Sequence, residues 1–451
     1  MRKIFFILAA LVVMAHTAFA APSVRQRFNL SFSPPLIAVS RFNSKGELLA
    51  VQLSPKGDQP SRIIAVSRRG GLKLVEDLAA RKTLTVPGQR LWIAHTGRTG
   101  VAKAGQPKAD TSAARSEELP VIRRQVWLAR SGECYAVAYF ASGGWYELRY
   151  MDKDGKLLFI AAPKDNYGLA SVIISDDGSR VLIDDETPLY SMAKPGQRLY
   201  LYDINGKLLM DRDAGENLDG WLDAQDGFMA HDGSCFIAPM GMGKRQCSSI
   251  VMLDGNGKQL WDKSYFPRHI IEGDSGGLFR VRGGNLSFIN LIDRQGGLKT
   301  IERKGYGFEL MLSKDAKKAY MMMFKPFDVK NSGLTGQIKA AFPGADVIAV
   351  NLPELAAPAG SPASSDPRSA PASASDVKVA LSPDGKSFIC YASRAAMGMQ
   401  ETVVKLFGED QALLWKKYFF QAGIVPKFTG SRDFLLKFGY PIKRLAYFSP
   451  N

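Results

Sequence analysis

Histidine and cysteine are scarce in this chain, with four of each among 451 residues. Past residue 20 only His95, His231 and His269 remain, and no two stand three or four residues apart. No local metal site is therefore written in the sequence, and neither metal nor cofactor is expected. Cys134, Cys235, Cys247 and Cys390 include no C-x-x-C, which removes the common zinc and dithiol motifs. Past residue 20 no stretch approaches 18 consecutive apolar residues, so no later helical membrane span is expected. Helical periodicity is also missing there, and no helix is predicted.

The first twenty residues differ from the rest. Arg2-Lys3 precedes an apolar run from Ile4 to Met14, and Ala18-Phe19-Ala20 stands before Ala21-Pro22. These are the zones of a secretory signal peptide over residues 1–20, cut between Ala20 and Ala21. An uncleaved anchor is the alternative, but the apolar run is short for a bilayer. Residues 21–451 are expected to be periplasmic or secreted.

Export makes the cysteines eligible for disulfides. Cys235 and Cys247 flank residues 239–245 between two strand-like runs, so a hairpin turning near Gly241 brings them together as a candidate pair. The net charge is +16, which invites an acidic partner. Export argues against nucleic acid and leaves an acidic protein or envelope polysaccharide. Lys416-Lys417 and the lysines of 314–318 read first as solvated strand faces.

Two kinds of turn alternate along the chain. One is Ser54-Pro-Lys-Gly57, Arg130-Ser-Gly132, Ser175-Asp-Asp-Gly178, His231-Asp-Gly233, Ser313-Lys-Asp-Ala316 and Ser382-Pro-Asp-Gly385. The other is Asp152-Lys-Asp-Gly155, Asp203-Ile-Asn-Gly206, Asp254-Gly-Asn-Gly257 and Asp293-Arg-Gln-Gly296. Gly supplies positive φ, and the short carboxylate bonds its own backbone. Apolar residues alternate between turns, as in Arg198-Leu-Tyr-Leu-Tyr202, which is half-buried strand. Gly155, Gly206 and Gly257 are evenly spaced, a stride of about 50 residues that fits four-stranded propeller blades.

The fold expected is all-β, a single β-propeller of about seven four-stranded blades with eight as the alternative. Pairing of the N- and C-terminal strands would close it and remove the seam. Residues 101–120 are polar and 355–376 are Pro/Ala/Ser-rich. Both are predicted to be disordered insertions.

Asp254-Gly-Asn-Gly-Lys-Gln-Leu-Trp261 resembles the repeat of bacterial quinoprotein-like propellers. Ser382-Pro-Asp-Gly385 resembles WD-like and TolB-like propeller repeats. The likeness spans most of the exported chain through short motifs, and implies a scaffold or binding platform. The repeat Trp survives at Trp261 and near Trp415, and no adjacent cysteine pair accompanies it, so no quinone is implied.

Gly273-Asp-Ser-Gly-Gly277 matches the string around a serine protease nucleophile, with His95 upstream. Repeat turns on both sides leave no room for protease barrels, and the string reads as a hairpin. The aspartates at 152, 203, 254 and 293 keep a constant offset from Gly and read as turn caps; Asp254-Gly-Asn-Gly lacks the rest of a calcium loop. Blade-entry loops would form the recognition surface, with Trp221, Arg268, His269 and Tyr306 as binding candidates. The function expected is a non-enzymatic binding or scaffold protein in the envelope or outside the cell. A propeller hydrolase or lyase working from the axial funnel is the alternative; no catalytic residue is nominated.

Overall fold

The computed structural model describes residues 24–86, 117–141, 144–163, 168–186, 196–215, 220–241, 247–264, 270–275, 277–282, 288–302, 308–324, 333–352, 377–396 and 399–450. The signal segment with Ala20 and Ala21, most of 101–120, all of 355–376, and Arg268, His269 and Tyr306 lie outside them.

Short strands joined by glycine turns pair mostly with their chain neighbours, and most of the sheets are antiparallel and follow sequence order. The longest described strand, Val24–Phe42, links two units within one seven-stranded sheet. Its residues 36–42 pair with Glu47–Leu53, followed outward by Pro60–Ser67 and Leu72–Asp77, to make the first unit. Arg123–Leu128, Cys134–Ala141, Gly144–Asp152 and Leu157–Ala161 make the second. Leu169–Ile174, Arg180–Glu186, Gln197–Asp203 and Leu208–Gly215 make the third. Phe228–Met229, Cys235–Gly241, Cys247–Asp254 and Gln259–Ser264 make the fourth. Ile270–Ser275, Leu278–Arg282, Phe288–Asp293 and Leu298–Glu302 make the fifth.

The sixth unit breaks the pattern. Phe308–Leu312 and Lys318–Met323 form a hairpin, but Asp346–Asn351 joins it in parallel. A parallel neighbour needs a crossover, supplied here by helix α1, Leu334–Ala341. The helix corrects the expectation of strands alone. Its start is capped by Gly333 in the left-handed region with no side-chain hydrogen bond, so the usual sequence signal of a helix start is missing. Lys378–Leu381, Ser387–Ala396, Met399–Gly408 and Leu413–Phe419 make the seventh unit. Ile424–Phe428, Phe434–Phe438 and Ile442–Pro450 make the eighth, and residues 24–31 pair with Ile442–Pro450 as its fourth strand. The first and eighth units are joined through Val24–Phe42 in one seven-stranded sheet, so the described residues hold that sheet, five four-stranded sheets, the three-stranded sixth unit and a separate two-stranded pair. Thr83–Val86 pairs with Glu117–Pro120, so the last residues of the first predicted insertion are a strand.

Burial falls from the inner strands to the outer edge. Every residue of Cys134–Ala141 is buried, while most of Gln259–Ser264 is exposed. A strand buried on both faces has a sheet on each side, and the apolar clusters lie between consecutive units. Leu49, Val51 and Ile63 of the first pack on Tyr135, Val137 and Tyr139 of the second. Further clusters fill each following pair of units in order. Another joins the eighth to the first, with Leu435, Leu445 and Tyr447 against Leu36, Leu48 and Ile64.

The aspartate turns act as expected. Asp203 Oδ1 accepts from Asn205 N at 2.9 Å and Lys207 N at 2.8 Å, and Asp152, Asp254 and Asp293 repeat this. Gly206 has φ +80°, and a Cβ there would lie 2.5 Å from Phe159 Cβ of the preceding unit. Gly206→Ala is therefore expected to cost about 2–3 kcal/mol, positive φ adding to the clash. Urea unfolding of the variant checks it, and a change below about 0.5 kcal/mol would count against this packing.

The described residues of Gly273-Asp-Ser-Gly-Gly277, 273–275 and 277, lie in a hairpin where Asp274 pairs with Phe279 and Ser275 with Leu278. The proposed cysteine pair is corrected by register. Cys235 stands opposite Asp254, and Gly241 stands opposite Cys247, so the cysteines occupy opposite ends of the ladder. Six residues of strand separate them by about 20 Å, several times the reach of a disulfide.

Candidate functional site

Of the four binding residues expected from sequence, only Trp221 is described. It is 3% exposed, and its carbonyl accepts from Gly241 N, so it braces the fourth unit from inside instead of presenting a ring.

The notable convergence occurs at the turn after each unit's first strand. Arg130, Asp176, His231, Lys314 and Pro383 occupy the same repeat position, and the turns are bonded in succession. Arg41 N donates to Arg130 O at 2.8 Å, Ser131 N to Asp176 O at 3.1 Å, and Asp177 N to His231 O at 3.1 Å. Lys314 N donates to Pro383 O at 2.9 Å in the same manner. Side chains remote in sequence are thereby brought together. His231 Nδ1 lies 2.5 Å from Asp176 Oδ2, and Arg130 Nε lies 3.5 Å from Asp176 Oδ1. The His231 side chain is only 16% exposed.

The eighth unit adds a lysine. Lys427 reaches from Ile424–Phe428 to the first unit and donates from Nζ to Val39 O at 3.0 Å. Its ammonium is pushed down to about 7, first by burial and then by the charges of Lys437, Arg130 and Arg41, with Asp176 opposing. Burial and Arg130 likewise lower Arg41, and burial lowers Lys437. Burial works against ionisation of Asp176, but the His231 hydrogen bond and the charges of Arg130 and Arg41 prevail and hold its carboxyl below the usual range. Arg41 Nε is sealed from solvent with no hydrogen-bond partner among the described residues. Cations outnumber the single carboxylate in this group.

A second charged group sits at the opposite end of Arg180–Glu186. Asp184 is 1% exposed, and its Oδ1 accepts from Gln197 Nε2 at 3.0 Å. Gln197 is fixed in turn by the Leu222 backbone, and Asp185 Oδ1 accepts from Trp145 Nε1 at 3.1 Å. Burial, then Glu186, raises the Asp184 carboxyl well above its usual range. Glu186 is pushed up to about 7, by burial and then by Asp223. The folded chain thus keeps a proton on Glu186 that the unfolded chain releases near 4.5. Its contribution to stability is complete below about pH 4.5 and lost as the pH rises through 7. Glu186→Gln is expected to gain about 1–2 kcal/mol on the wild type above pH 7, after screening, and nothing near pH 4. Urea unfolding at both pH values checks this; an equal difference at both would contradict it.

A cleft of about 790 Å³ lies between the fifth and sixth units, lined by Leu278, Arg294, Lys299, Lys317 and Phe342 among others. It owes its shape to the crossover, whose last residues form one wall. Its carboxylates Asp293 and Asp315 are engaged in their own turns.

Sequence reasoning did not single out Arg41, Arg130, Asp176 or Lys427. The signal available was the shared turn position, where successive repeats carry Arg130, Asp176 and His231. Lys427, on a strand of the last unit, carries no such mark.

No protein-family model and no curated protein matches the chain. Solved structures with similarity include Raptor of Chaetomium thermophilum, at 9% identity and a TM-score of 0.38. That alignment covers 96% of this chain but only 29% of Raptor. The WD40 domain of SCAP from fission yeast aligns at 9% identity and TM-score 0.36, over 95% of this chain and 94% of that one. BamB from Moraxella catarrhalis aligns at 8% identity and TM-score 0.34, over 94% and 99%. Likenesses this weak carry no inference about the site.

Proposed function

We propose that the chain is an exported β-propeller of eight blades, closed by its first and last strands, that serves as a non-enzymatic binding platform for an acidic partner. Filled interfaces between all consecutive units, the eighth and first included, support the ring. In that ring the Arg130–Asp176–His231 turns lie around one mouth of the axis. Partners of the expected chemistry are an acidic protein or an envelope polysaccharide.

One observation carries the functional reading: positive charge collects where the chain's ends meet. The seventh and eighth units, residues 24–31 and 377–451, hold thirteen Lys and Arg against five Asp and Glu. Several of these cations rest on aromatic faces and neutral amides. Lys416 Nζ stands 4.6 Å from the Tyr418 ring, and Arg444 stands 3.9 Å from the Phe438 ring. Lys417 Nζ donates to Gln26 Oε1 at 3.2 Å, and Arg444 to Gln421 Oε1 at 3.3 Å. Lys405 stands directly opposite Lys416, an arrangement that costs stability. Lys416, Lys417 and Arg444, held on rings and neutral amides, carry charge that an acidic surface would complement.

Capture from envelope extract by the exported chain, at low and high salt, tests the reading. A defined acidic partner retained at low salt and released at high salt is expected. Capture that salt leaves unchanged would contradict it.

The Asp184, Glu186 and Asp223 group favours a second reading, a glycan hydrolase or lyase. Paired carboxyls with one raised toward neutrality are what acid catalysis of that kind uses. Glycan cleavage that rises below pH 7 and is abolished in Glu186→Gln would establish it over the platform.

A further inference from the structure

We infer that the axial cluster of Arg41, Arg130 and Lys427 binds one anionic group of the partner, a carboxylate or a phosphate; this rests on the platform reading above. Four cationic or protonatable side chains, Arg41, Arg130, Lys427 and His231, come from four different units around Asp176, and Lys437 adds its charge beside Lys427. Asp176 is already committed, bonded to His231 at 2.5 Å and facing Arg130 at 3.5 Å. One carboxylate cannot neutralise this group, and gathering like charges in a half-buried place is costly.

The arrangement has the form of a receptor. Arg41 Nε has no acceptor among the described residues while being closed to solvent. Arg130 is tied to the ring by its backbone, yet its side chain is 45% exposed, so a ligand can reach it. A second anion would meet a preset group of donors at a low-dielectric position, where charge-assisted hydrogen bonds are strong.

Proton linkage follows from the same neighbours. Lys427 faces Lys437 of its own unit, Arg41 of the first, Arg130 of the second and Asp176 of the third. Near neutral pH its ammonium is only partly protonated. An anion beside it favours the charged form, so binding takes up a proton and strengthens as the pH falls from 9 toward 6.

Thermal unfolding of the exported full chain tests the inference, with acetate, inorganic phosphate and chloride compared at one ionic strength and low millimolar anion. Acetate or phosphate is expected to raise the Tm over chloride by about 2 °C. The rise with acetate should be larger at about pH 6 than at pH 9. Arg130→Gln, at an exposed side chain, should fold normally and lose most of the rise; Lys416→Gln, remote from the axis, should keep it. Equal Tm values in all three salts, or a rise that survives both Arg130→Gln and Lys427→Met, would overturn the site. Salt-sensitive capture without an anion effect rejects only this site. An anion effect without any captured partner rejects only the platform.

Discussion

Deletion of residues 442–451 is expected to abolish the cooperative fold, the largest effect foreseen for a short change in this chain. Ile442–Pro450 is hydrogen-bonded to Phe434–Phe438 on one side and to residues 24–31 on the other. Leu445, Ala446, Tyr447 and Phe448 along it are at most 2% exposed. The Phe448 ring stacks on Phe434 at 5.1 Å between centroids and lies 5.0 Å from Trp415 of the seventh unit. Burial of three such large side chains contributes on the order of 5–9 kcal/mol, comparable with the whole stability of many proteins. The deletion would also leave two strand edges unpaired, which invites aggregation. Far-UV circular dichroism with size exclusion reads the outcome. Phe448→Ala gives a graded version, with an expected cost of about 3–5 kcal/mol. A truncated chain that stays monomeric with an unchanged melting transition would show that the terminal strands do not hold the units together.

Asp176→Ala should cost about 3–5 kcal/mol, because it leaves Arg130, His231 and Arg41 gathered without their carboxylate. Lys427→Met should act the other way. The ammonium's folded value, about 7, lies below the ordinary lysine value of 10.5. Its contribution is therefore complete above pH 10.5 and lost as the pH falls through 7. Lys427→Met removes this penalty, and its gain over wild type should be largest below pH 7 and vanish near pH 11. The two changes should couple: in the double variant, Asp176→Ala should cost at least about 1 kcal/mol less than in the wild type. Additive effects in a double-mutant cycle would mean that Lys427 does not sense Asp176.

The repeated turns were legible because their chemistry is local. Asp203 caps its own backbone two and four residues on, and Gly206 meets a positive φ, so both could be read without a partner. Register was not. The interval from Cys235 to Cys247 suggests proximity, but a hairpin whose ladder ends at Gly241 and Cys247 puts Cys235 at the far end. The unit count depended on which units borrow a strand, and the double use of Val24–Phe42 is a property of pairing between the ends of the chain. The sixth unit escaped because α1 begins without a side-chain cap. His231 read as a lone turn residue since its partner Asp176 is 55 positions away. Aligning the first turns by repeat position, not by motif, would have put Arg130, Asp176 and His231 side by side.

The claim that the chain is a basic platform is tested most directly by its affinity for the captured partner across a salt series, beside a variant carrying Lys416→Glu, Lys417→Glu and Lys443→Glu. The affinity is expected to fall steeply with salt in the wild type, with weaker binding and a flatter dependence in the variant. Equal affinity in wild type and variant, unchanged by salt, would contradict it.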